Sequence, residues 1–243
     1  MHRFFAGAGE IVQGEVHFSA DVSRQITRVL RLQPGKEVQV LDNLGNEFLV
    51  SLTVVSDVAC IGEIIDHKTS SVEANVRLTM LLSLTQREKF EWMLQKCTEI
   101  GAAAFLPVIT SRSLVQQPGE VLSKYPRWQK IIREAAEQSG RGLLPELLAP
   151  QSLQAALAFG KSGNELCLVA WEAEHRITLK EIIVEDIQRV AMLIGPEGGL
   201  SQEEIHLAAQ QGYIPISLGR RILRMETAAI VAAALLMNKF DSD

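Results

Sequence analysis

The stretch LIGPEGGLSQEEI, residues 193–205, runs from an apolar segment through a glycine-rich turn into the start of a helix. This layout cradles phosphates in nucleotide-binding folds, but its glycine spacing matches neither GxGxxG nor GxxxxGKS/T. Ser201 and Glu204 have the spacing of a capping box, which occupies N–H groups that a phosphate would need. Glu197 and Glu203 add further negative charge. The stretch therefore predicts a ligand other than a pyrophosphate.

A ligand with a neutral ring, or one with a cationic centre, fits this turn better than an anion does. Gly198 and Gly199 carry no side chains that would block a close approach to the backbone. S-adenosylmethionine offers both features, an adenine and a sulfonium. The alternative is a tight turn whose glycines satisfy only the backbone geometry, and this stretch alone leaves both interpretations open.

Composition limits the classes of protein to consider. The chain has 243 residues, 47% of them hydrophobic, and a formal net charge of -5 at pH 7. Contact with nucleic acid would therefore depend on a local basic patch. Three separated cysteines, Cys60, Cys97 and Cys167, form no CxxC pair and predict reduced thiols without a metal site. The N-terminus lacks the apolar core of a signal peptide, and the apolar run at 228–237 is shorter than the roughly 20 residues that span a bilayer, so we expect a cytoplasmic protein.

The first 70 residues predict a small β domain. Short β-like stretches lie at 38–42, 47–55 and 59–65, with turn residues between them. Residues 67–75 are polar and without periodicity, so they predict a linker.

From residue 76 onward, apolar strands alternate with amphipathic helices. One helix is predicted to open with a Thr85–Glu88 capping box and close at Gly101, and another to span 125–139. The predicted strands lie at 77–84, 103–109, 165–171, 189–195 and 213–219. This alternation predicts an α/β fold with a parallel sheet covered on both faces. Because ligands bind at the carboxyl ends of such strands, the loops at Trp171, Gly195 and Leu218 are expected to converge on one pocket.

The C-terminal segment SLGRRILRMETAAIVAAALL, residues 217–236, together with IGPEGGLS, resembles the SPOUT superfamily of methyltransferases. More narrowly, the chain resembles the RsmE-type enzymes, which methylate N3 of a uridine in 16S ribosomal RNA. Further matching segments are MHRFF at the start and residues 28–38, 95–113 and 127–141. The chain departs from the family pattern at Arg220, where proline is common, at Met225, where threonine is common, and at Gln25, where histidine is frequent.

The resemblance implies a C-terminal SPOUT domain at 75–243 with a trefoil knot, and an N-terminal PUA-like β-barrel at 1–70 that binds RNA. It also implies a homodimer that acts on 16S rRNA, within the small ribosomal subunit. The last helix is apolar nearly all round and rich in small residues, which independently predicts that it is buried. A dimer interface and the core of one monomer are both open as the place of burial.

The implied chemistry selects the candidate catalytic residues. Loss of the N3 proton places negative charge on the neighbouring carbonyl oxygens of uracil, which the Arg224 guanidinium is predicted to stabilise. The alternative is that Arg224 braces its turn by an ion pair with Glu226 or Glu197. Either carboxylate is also a candidate proton acceptor. The residues predicted to bind the cofactor are Trp171, Ile194, Gly195, Pro196, Glu197, Gly198, Leu218, Gly219, Ile222, Leu223 and Met225.

RNA contact is predicted from a local excess of positive charge in residues 1–36, where four arginines and Lys36 outnumber the acidic residues Glu10, Glu15 and Asp21. Arg28 and Arg31, three apart, would share one face of a helix. The predicted RNA-binding residues are Arg3, Arg24, Arg28 and Arg31, with Arg112 and Arg141 near the substrate. Ordinary solvated surface charge is the alternative.

Two rival functions stay open. One is a non-catalytic RNA-binding assembly factor, and the other is a SPOUT enzyme that methylates ribose 2′-hydroxyls of transfer RNA. A dinucleotide oxidoreductase fits worst, because no glycine fingerprint with a downstream acidic residue follows the first strand.

Overall fold

The computed structural model describes residues 1–7, 9–70, 72–184 and 186–241. The chain divides into two compact units, Met1–Glu73 with Ala136–Leu144, and Ala74–Ala135 with Pro145–Asp243. The sequence pattern did not predict that Ala136–Leu144 belongs to the first unit. This segment joins the first unit because Ala136 and Leu144 pack with Phe5 and Leu41, an apolar contact between residues far apart in the sequence.

The first unit is built on a six-stranded sheet with the order β1-β4-β5-β6-β3-β2. Its strands are β1 (Arg3–Phe5), β2 (Ile11–Val12), β3 (Glu15–Phe18), β4 (Glu37–Leu41), β5 (Asn46–Val55) and β6 (Cys60–Thr69). The β1–β4 pair is parallel and the other pairs are antiparallel. Alternate residues of β4 and β5, including Val38, Val40, Val50 and Leu52, form its core.

Two local predictions for this unit are wrong. Strand β6 continues through Thr69, so residues 67–69 of the predicted linker belong to the sheet, where His67 pairs with Phe48. Helix α1 (Ala20–Arg24) continues as a π-helix at Gln25–Val29 and ends there. Arg31 has a φ of 53°. It therefore lies beyond the helix, and Arg28 and Arg31 do not share a helical face.

The second unit contains a seven-stranded sheet in which every pairing is parallel. The strands are β7 (Arg77–Ser83), β8 (Ala104–Ile109), β9 (Glu146–Leu147), β10 (Gln151–Ser152), β11 (Leu166–Ala170), β12 (Arg189–Ile194) and β13 (Ile214–Ile216). Their order is β10-β8-β7-β12-β11-β13, and β9 pairs with β8. The predicted parallel sheet is confirmed, with β12 inserted between β7 and β11.

Helices cover both faces of this sheet. They are α2 (Arg87–Ile100), α3 (Tyr125–Ser139), α4 (Leu153–Gly163), α5 (Gln202–Gln210) and α6 (Met225–Phe240), with a 3-10 helix at Pro118–Lys124. On one face, Met80 packs in a cluster with Phe90 of α2 and Ala229 of α6. On the other face, Leu81 packs in a cluster with Leu157 of α4. This two-sided burial explains why the strands are almost continuously apolar.

Helix α2 begins differently from the prediction. Gln86 occupies the N-cap position and makes no side-chain cap hydrogen bond, so the predicted Thr85–Glu88 capping box is wrong. The Thr85 side chain is buried in the turn that follows β7, which removes it from the N-cap position. The other end is confirmed, because Gly101 closes the helix with a φ of 118°.

Helix α6 is buried on one face only. Ala229, Ala232, Ala233 and Leu236 are buried, whereas Ala234 is exposed and Leu235 is 44% exposed. Within one chain, the predicted burial of this helix is therefore confirmed for one face only. No helix among the described residues has the length and hydropathy needed to cross a bilayer.

Candidate active site

A pocket of about 970 Å³ opens at the carboxyl ends of β11, β12 and β13. Its walls come from the three loops that follow these strands, from the first turn of α2 and from the start of α6. The Trp171 amide donates to the Ile216 carbonyl over 3.0 Å and so ties the end of β11 to the end of β13. The prediction that the three late loops converge on one pocket is confirmed.

The glycines of the GPEGG turn have identifiable structural roles. Gly199 has a φ of 70°, and its N–H donates to the Pro196 carbonyl over 2.8 Å. A Cβ atom at Gly199 would lie 2.6 Å from Glu172 Oε1, and one at Gly195 would lie 2.9 Å from Leu200 Cγ. Backbone geometry and packing thus require both glycines, and they leave the backbone bare along one wall of the pocket.

The capping box predicted at the start of α5 is confirmed. The Glu204 amide donates to Ser201 Oγ over 3.2 Å, and the Ser201 amide donates to Glu204 Oε2 over 2.9 Å. The second Glu204 oxygen accepts the Ser111 amide at 2.7 Å. These bonds occupy donors at the helix N-terminus, so this turn is a poor site for a phosphate.

The acidic character expected around the turn is largely compensated. Lys89 Nζ lies 3.0 Å from Glu197 Oε1. Burial works to raise the pKa of the Glu197 carboxyl, but the nearby Thr85 hydroxyl and Lys89 outweigh it and hold that pKa below its ordinary value. The described lining residues include Lys89 and three arginines as well as the carboxylates of Glu172, Glu197 and Glu226.

Glu226 carries a buried oxygen without a partner. The side chain is buried in the first turn of α6, and among the described residues no group hydrogen-bonds to its Oε2 atom. Arg224, at the N-cap of the same helix, is exposed and forms no ion pair with Glu226 or Glu197. The bracing role considered for Arg224 is therefore not what the structure shows. A buried acceptor of this kind requires a donor from a ligand or from water.

Every residue predicted to bind the cofactor lines this pocket, as do Arg224 and Glu226. Ile194, Pro196 and Met225 are buried, and Trp171, Leu218 and Leu223 are half-buried. Ile222 is the exception, since its side chain is 87% exposed and lies at the mouth.

Among the lining residues that were not predicted as site residues, four are lysine, arginine or glutamate: Lys89, Glu172, Arg220 and Arg221. Lys89 was detectable in principle, because a helix that follows a parallel strand begins at the carboxyl edge of the sheet. Glu172 directly follows the predicted Trp171, and the two arginines lie inside the motif that carries the resemblance. The described residues contain no group of side chains arranged to hold a metal ion.

The arginines predicted to bind RNA lie outside the pocket lining. In the first unit, Arg24 pairs with Asp21, Arg28 pairs with Asp57 at 2.8 Å, and Arg3 donates to Gln39 over 2.8 Å. Arg31 is exposed.

Two further predicted arginines are engaged by the protein itself. Arg112 Nη1 donates to the Gly198 carbonyl over 2.5 Å and so braces the glycine turn. Arg141 is only 5% exposed and pairs with Glu73 at 2.8 Å. A buried, paired guanidinium has no free donors to offer a phosphate at the surface, so Arg141 is a structural residue.

Comparison with known proteins identifies the family to which this architecture belongs. The model of an RNA methyltransferase domain matches residues 72–237, and the model of an RNA methyltransferase PUA domain matches residues 21–65. The ribosomal RNA small subunit methyltransferase E of Synechocystis is 32% identical, covering 96% of this chain and 76% of its own length. The Bacillus subtilis protein of the same name is also 32% identical, covering 87% of this chain and 85% of its own.

Two solved structures superimpose on nearly the whole chain. A Legionella pneumophila protein in complex with its bound cofactor SAM superimposes with a TM-score of 0.90 and 31% identity, covering 98% of this chain and 97% of its own. The ribosomal RNA small subunit methyltransferase E of Neisseria gonorrhoeae, bound to S-adenosyl methionine, superimposes with a TM-score of 0.89 and 28% identity. The match covers 99% of this chain and 98% of the Neisseria chain. The small β unit is PUA-like and the parallel sheet is the family's catalytic fold, so the chain belongs to the RNA methyltransferase family that includes the ribosomal RNA small subunit methyltransferases E.

Proposed function

We propose that the protein transfers a methyl group from S-adenosylmethionine to N3 of a uridine in 16S ribosomal RNA of the small subunit. The observation that carries this proposal is the pocket at the carboxyl ends of β11, β12 and β13, in a chain whose structural relatives were solved with that cofactor. The family relationship to small subunit methyltransferases supports the substrate.

The pocket suits the cofactor in size and in chemistry. Its volume of about 970 Å³ admits a nucleoside with an amino-acid tail. The bare backbone around Gly198 and Gly199 and the apolar side chains of Ile194, Leu218 and Met225 would hold it. When bound, S-adenosylmethionine supplies an electrophilic methyl group on a cationic sulfonium. The capping box at Ser201 disfavours a pyrophosphate at the same turn.

The residues at the start of α6 would serve the uracil. N3 lies on the Watson–Crick edge, so the base must be unpaired before it enters the pocket. The exposed Arg224 guanidinium, free of ion pairs with neighbouring carboxylates, would stabilise negative charge on the uracil carbonyl oxygens. Of the two candidate proton acceptors, Glu226 is favoured, because its Oε2 lacks a donor whereas Glu197 is engaged by Lys89.

The proposal extends to assembly and RNA binding. Arg3, Arg24, Arg28 and Arg31 of the PUA-like unit would contact phosphates, and the exposed face of α6 would form a homodimer. The insertion of β12 between β7 and β11 and the family relationship support a trefoil knot. The three buried, free cysteines suit the reducing cytoplasm, where the ribosomal substrate is found.

The decisive experiment is methyl transfer from tritiated cofactor to small subunits that lack the modification. Nuclease digestion and mass analysis of the product should locate the methyl group on uracil N3. A ribose methyl would show the alternative 2′-hydroxyl chemistry, and cofactor binding without transfer to any RNA would show a non-catalytic assembly factor.

A further inference from the structure

The loop between β13 and α6, residues 217–224, carries three arginines around an exposed isoleucine. Arg220 and Arg221 are exposed, Ile222 is 87% exposed, and all three line the mouth of the pocket. Within the described part of the chain, neither arginine side chain has a hydrogen bond or an ion pair. Elsewhere in the same unit, arginines such as Arg189 are paired with carboxylates. This loop, which we call the rim, is therefore locally basic in a chain of net charge -5.

The loop is anchored at both ends. The Ser217 amide donates to the Ile177 carbonyl over 2.7 Å, and the Gly219 amide donates to Ser217 Oγ over 3.3 Å. Gly219 has a φ of 124°, a conformation that turns the chain sharply before the arginines. At the other end, the Arg224 carbonyl accepts the Ala228 amide at 2.8 Å as α6 begins. Cationic side chains on an anchored loop lose little backbone entropy when they bind a ligand.

We infer that this loop grips the RNA strand around the target nucleotide. Arg220 and Arg221 bind the flanking phosphates, and Ile222 fills the gap that the target base leaves in the stack when it enters the pocket. Guanidinium groups match phosphate in charge and in geometry. Apolar side chains inserted between bases compensate for lost stacking in other nucleic-acid complexes. The inference rests on the proposed function, since it needs an extruded base.

The features of the loop favour an RNA strand over a protein surface. An exposed isoleucine alone would suit either partner, but two unpaired guanidiniums beside it favour a polyanion with apolar faces between its charges.

Salt-dependent RNA binding tests the two arginines. Wild type, Arg220→Gln, Arg221→Gln and the double variant are titrated without cofactor against unmodified small-subunit RNA at several salt concentrations. Each variant should reduce the slope of log affinity against log salt by about 1, and the double variant by about 2. The matched control is Arg189→Gln, at the amino end of β12, which should leave the slope unchanged. Wild-type slopes in the rim variants would overturn the phosphate contacts.

The same titration tests Ile222. Ile222→Ser should weaken RNA binding by about fivefold or more at every salt concentration without changing the slope, and Ile222→Leu should restore it. Calorimetry with S-adenosylhomocysteine should give wild-type cofactor affinity for Ile222→Ser. A loss of cofactor affinity there, with RNA binding unchanged, would overturn the assignment and return Ile222 to the cofactor wall.

These readouts separate the inference from the proposed function. Wild-type enzyme that methylates subunits, with rim variants that bind RNA normally, would overturn the inference alone. Reduced slopes in the rim variants, with no methyl transfer by wild type, would refute the proposed function and the stacking role of Ile222 and would leave only the phosphate contacts supported.

Discussion

Lys89 Nζ and Glu197 Oε1 lie 3.0 Å apart. A lysine in the first turn of α2 therefore compensates the negative charge in the glycine turn that follows β12. Burial works against ionisation, but the Thr85 hydroxyl and Lys89 together hold the pKa of Glu197 below its ordinary value, so this carboxyl is ionised and paired at neutral pH.

Lys89→Met is expected to weaken cofactor binding about three- to tenfold, because an unpaired carboxylate would be left in the wall of the pocket. Calorimetry with S-adenosylhomocysteine measures the effect. Glu197→Gln should lose less binding free energy for the cofactor than Lys89→Met does. The double variant should lose less binding free energy than the sum of the two single losses. Strict additivity in this cycle would show that the pair is energetically silent.

Arg224→Ala is expected to keep cofactor affinity and to lose turnover by about 100-fold or more, since its guanidinium would act only on charge that develops in the reacting uracil. Single-turnover methyl transfer and calorimetry give the two quantities separately. Arg224→Lys should recover part of the rate. Abolished cofactor binding in Arg224→Ala would instead identify the arginine as a support of the loop.

Glu226→Gln is expected to reduce turnover by about 100-fold or more while cofactor affinity is retained, because an amide cannot accept the N3 proton. Single-turnover methyl transfer and calorimetry with S-adenosylhomocysteine measure the two quantities separately. The Glu197→Gln variant is the control and should keep most of the wild-type turnover at saturating cofactor. Loss of cofactor binding in Glu226→Gln would mean that the buried oxygen holds the cofactor.

The Glu91 cluster predicts a pH-dependent contribution to stability. The Nε atoms of Arg127 and Arg87 lie 2.6 and 2.9 Å from Glu91 Oε1. The hydrogen bond from Arg127 is the main reason that the pKa of Glu91 is lowered. A carboxyl with a depressed pKa stabilises the fold above its unfolded pKa and loses that contribution as the pH falls through the folded value. Glu91→Gln should lower the Tm by about 2–4 °C at pH 7.

The difference between Glu91→Gln and wild type should shrink as the pH falls below the ordinary glutamate pKa of about 4.3, and it should disappear only below the depressed pKa of the folded protein. Thermal melts across this range provide the measurement. Glu134→Gln is the matched control, because Glu134 forms a looser, exposed pair with Lys130 at 3.7 Å. A Tm difference that persists unchanged in acid would point to packing and not to charge.

Leu235→Lys is expected to convert a dimer into a monomer. Leu235 is 44% exposed on the outer face of α6, and a charge there would be costly to bury against a second copy. Light scattering gives the mass and circular dichroism checks the fold. A wild-type protein that is monomeric at micromolar concentration would contradict the proposed dimer.

The parallel sheet was predictable because its evidence is local. Apolar runs such as residues 189–195 correspond to β12, and the Ser201–Glu204 cap depends on residues three apart. The pocket followed from a general rule about strand ends, and so its lining residues near the motifs could be predicted.

What escaped prediction depends on contacts between distant segments. The burial of Arg141 against Glu73 joins residues 68 apart, and the Lys89–Glu197 pair joins residues 108 apart. Periodicity carries no information on such pairs. The Thr85–Glu88 pattern fitted a capping box, but the turn after β7 buries Thr85, so tertiary packing decided the start of the helix.

The position of β12 has a consequence for synthesis. Its neighbours β7 and β11 are made earlier, and Arg77 of β7 pairs with Arg189 of β12 across more than 100 residues. On the ribosome, the centre of the sheet cannot close until residue 194 has emerged, whereas most of the PUA-like unit lies in the first 73 residues. Nascent chains halted before β12 should expose the edge of β7, which makes this interval the aggregation-prone stage and gives chaperones a defined segment to shield.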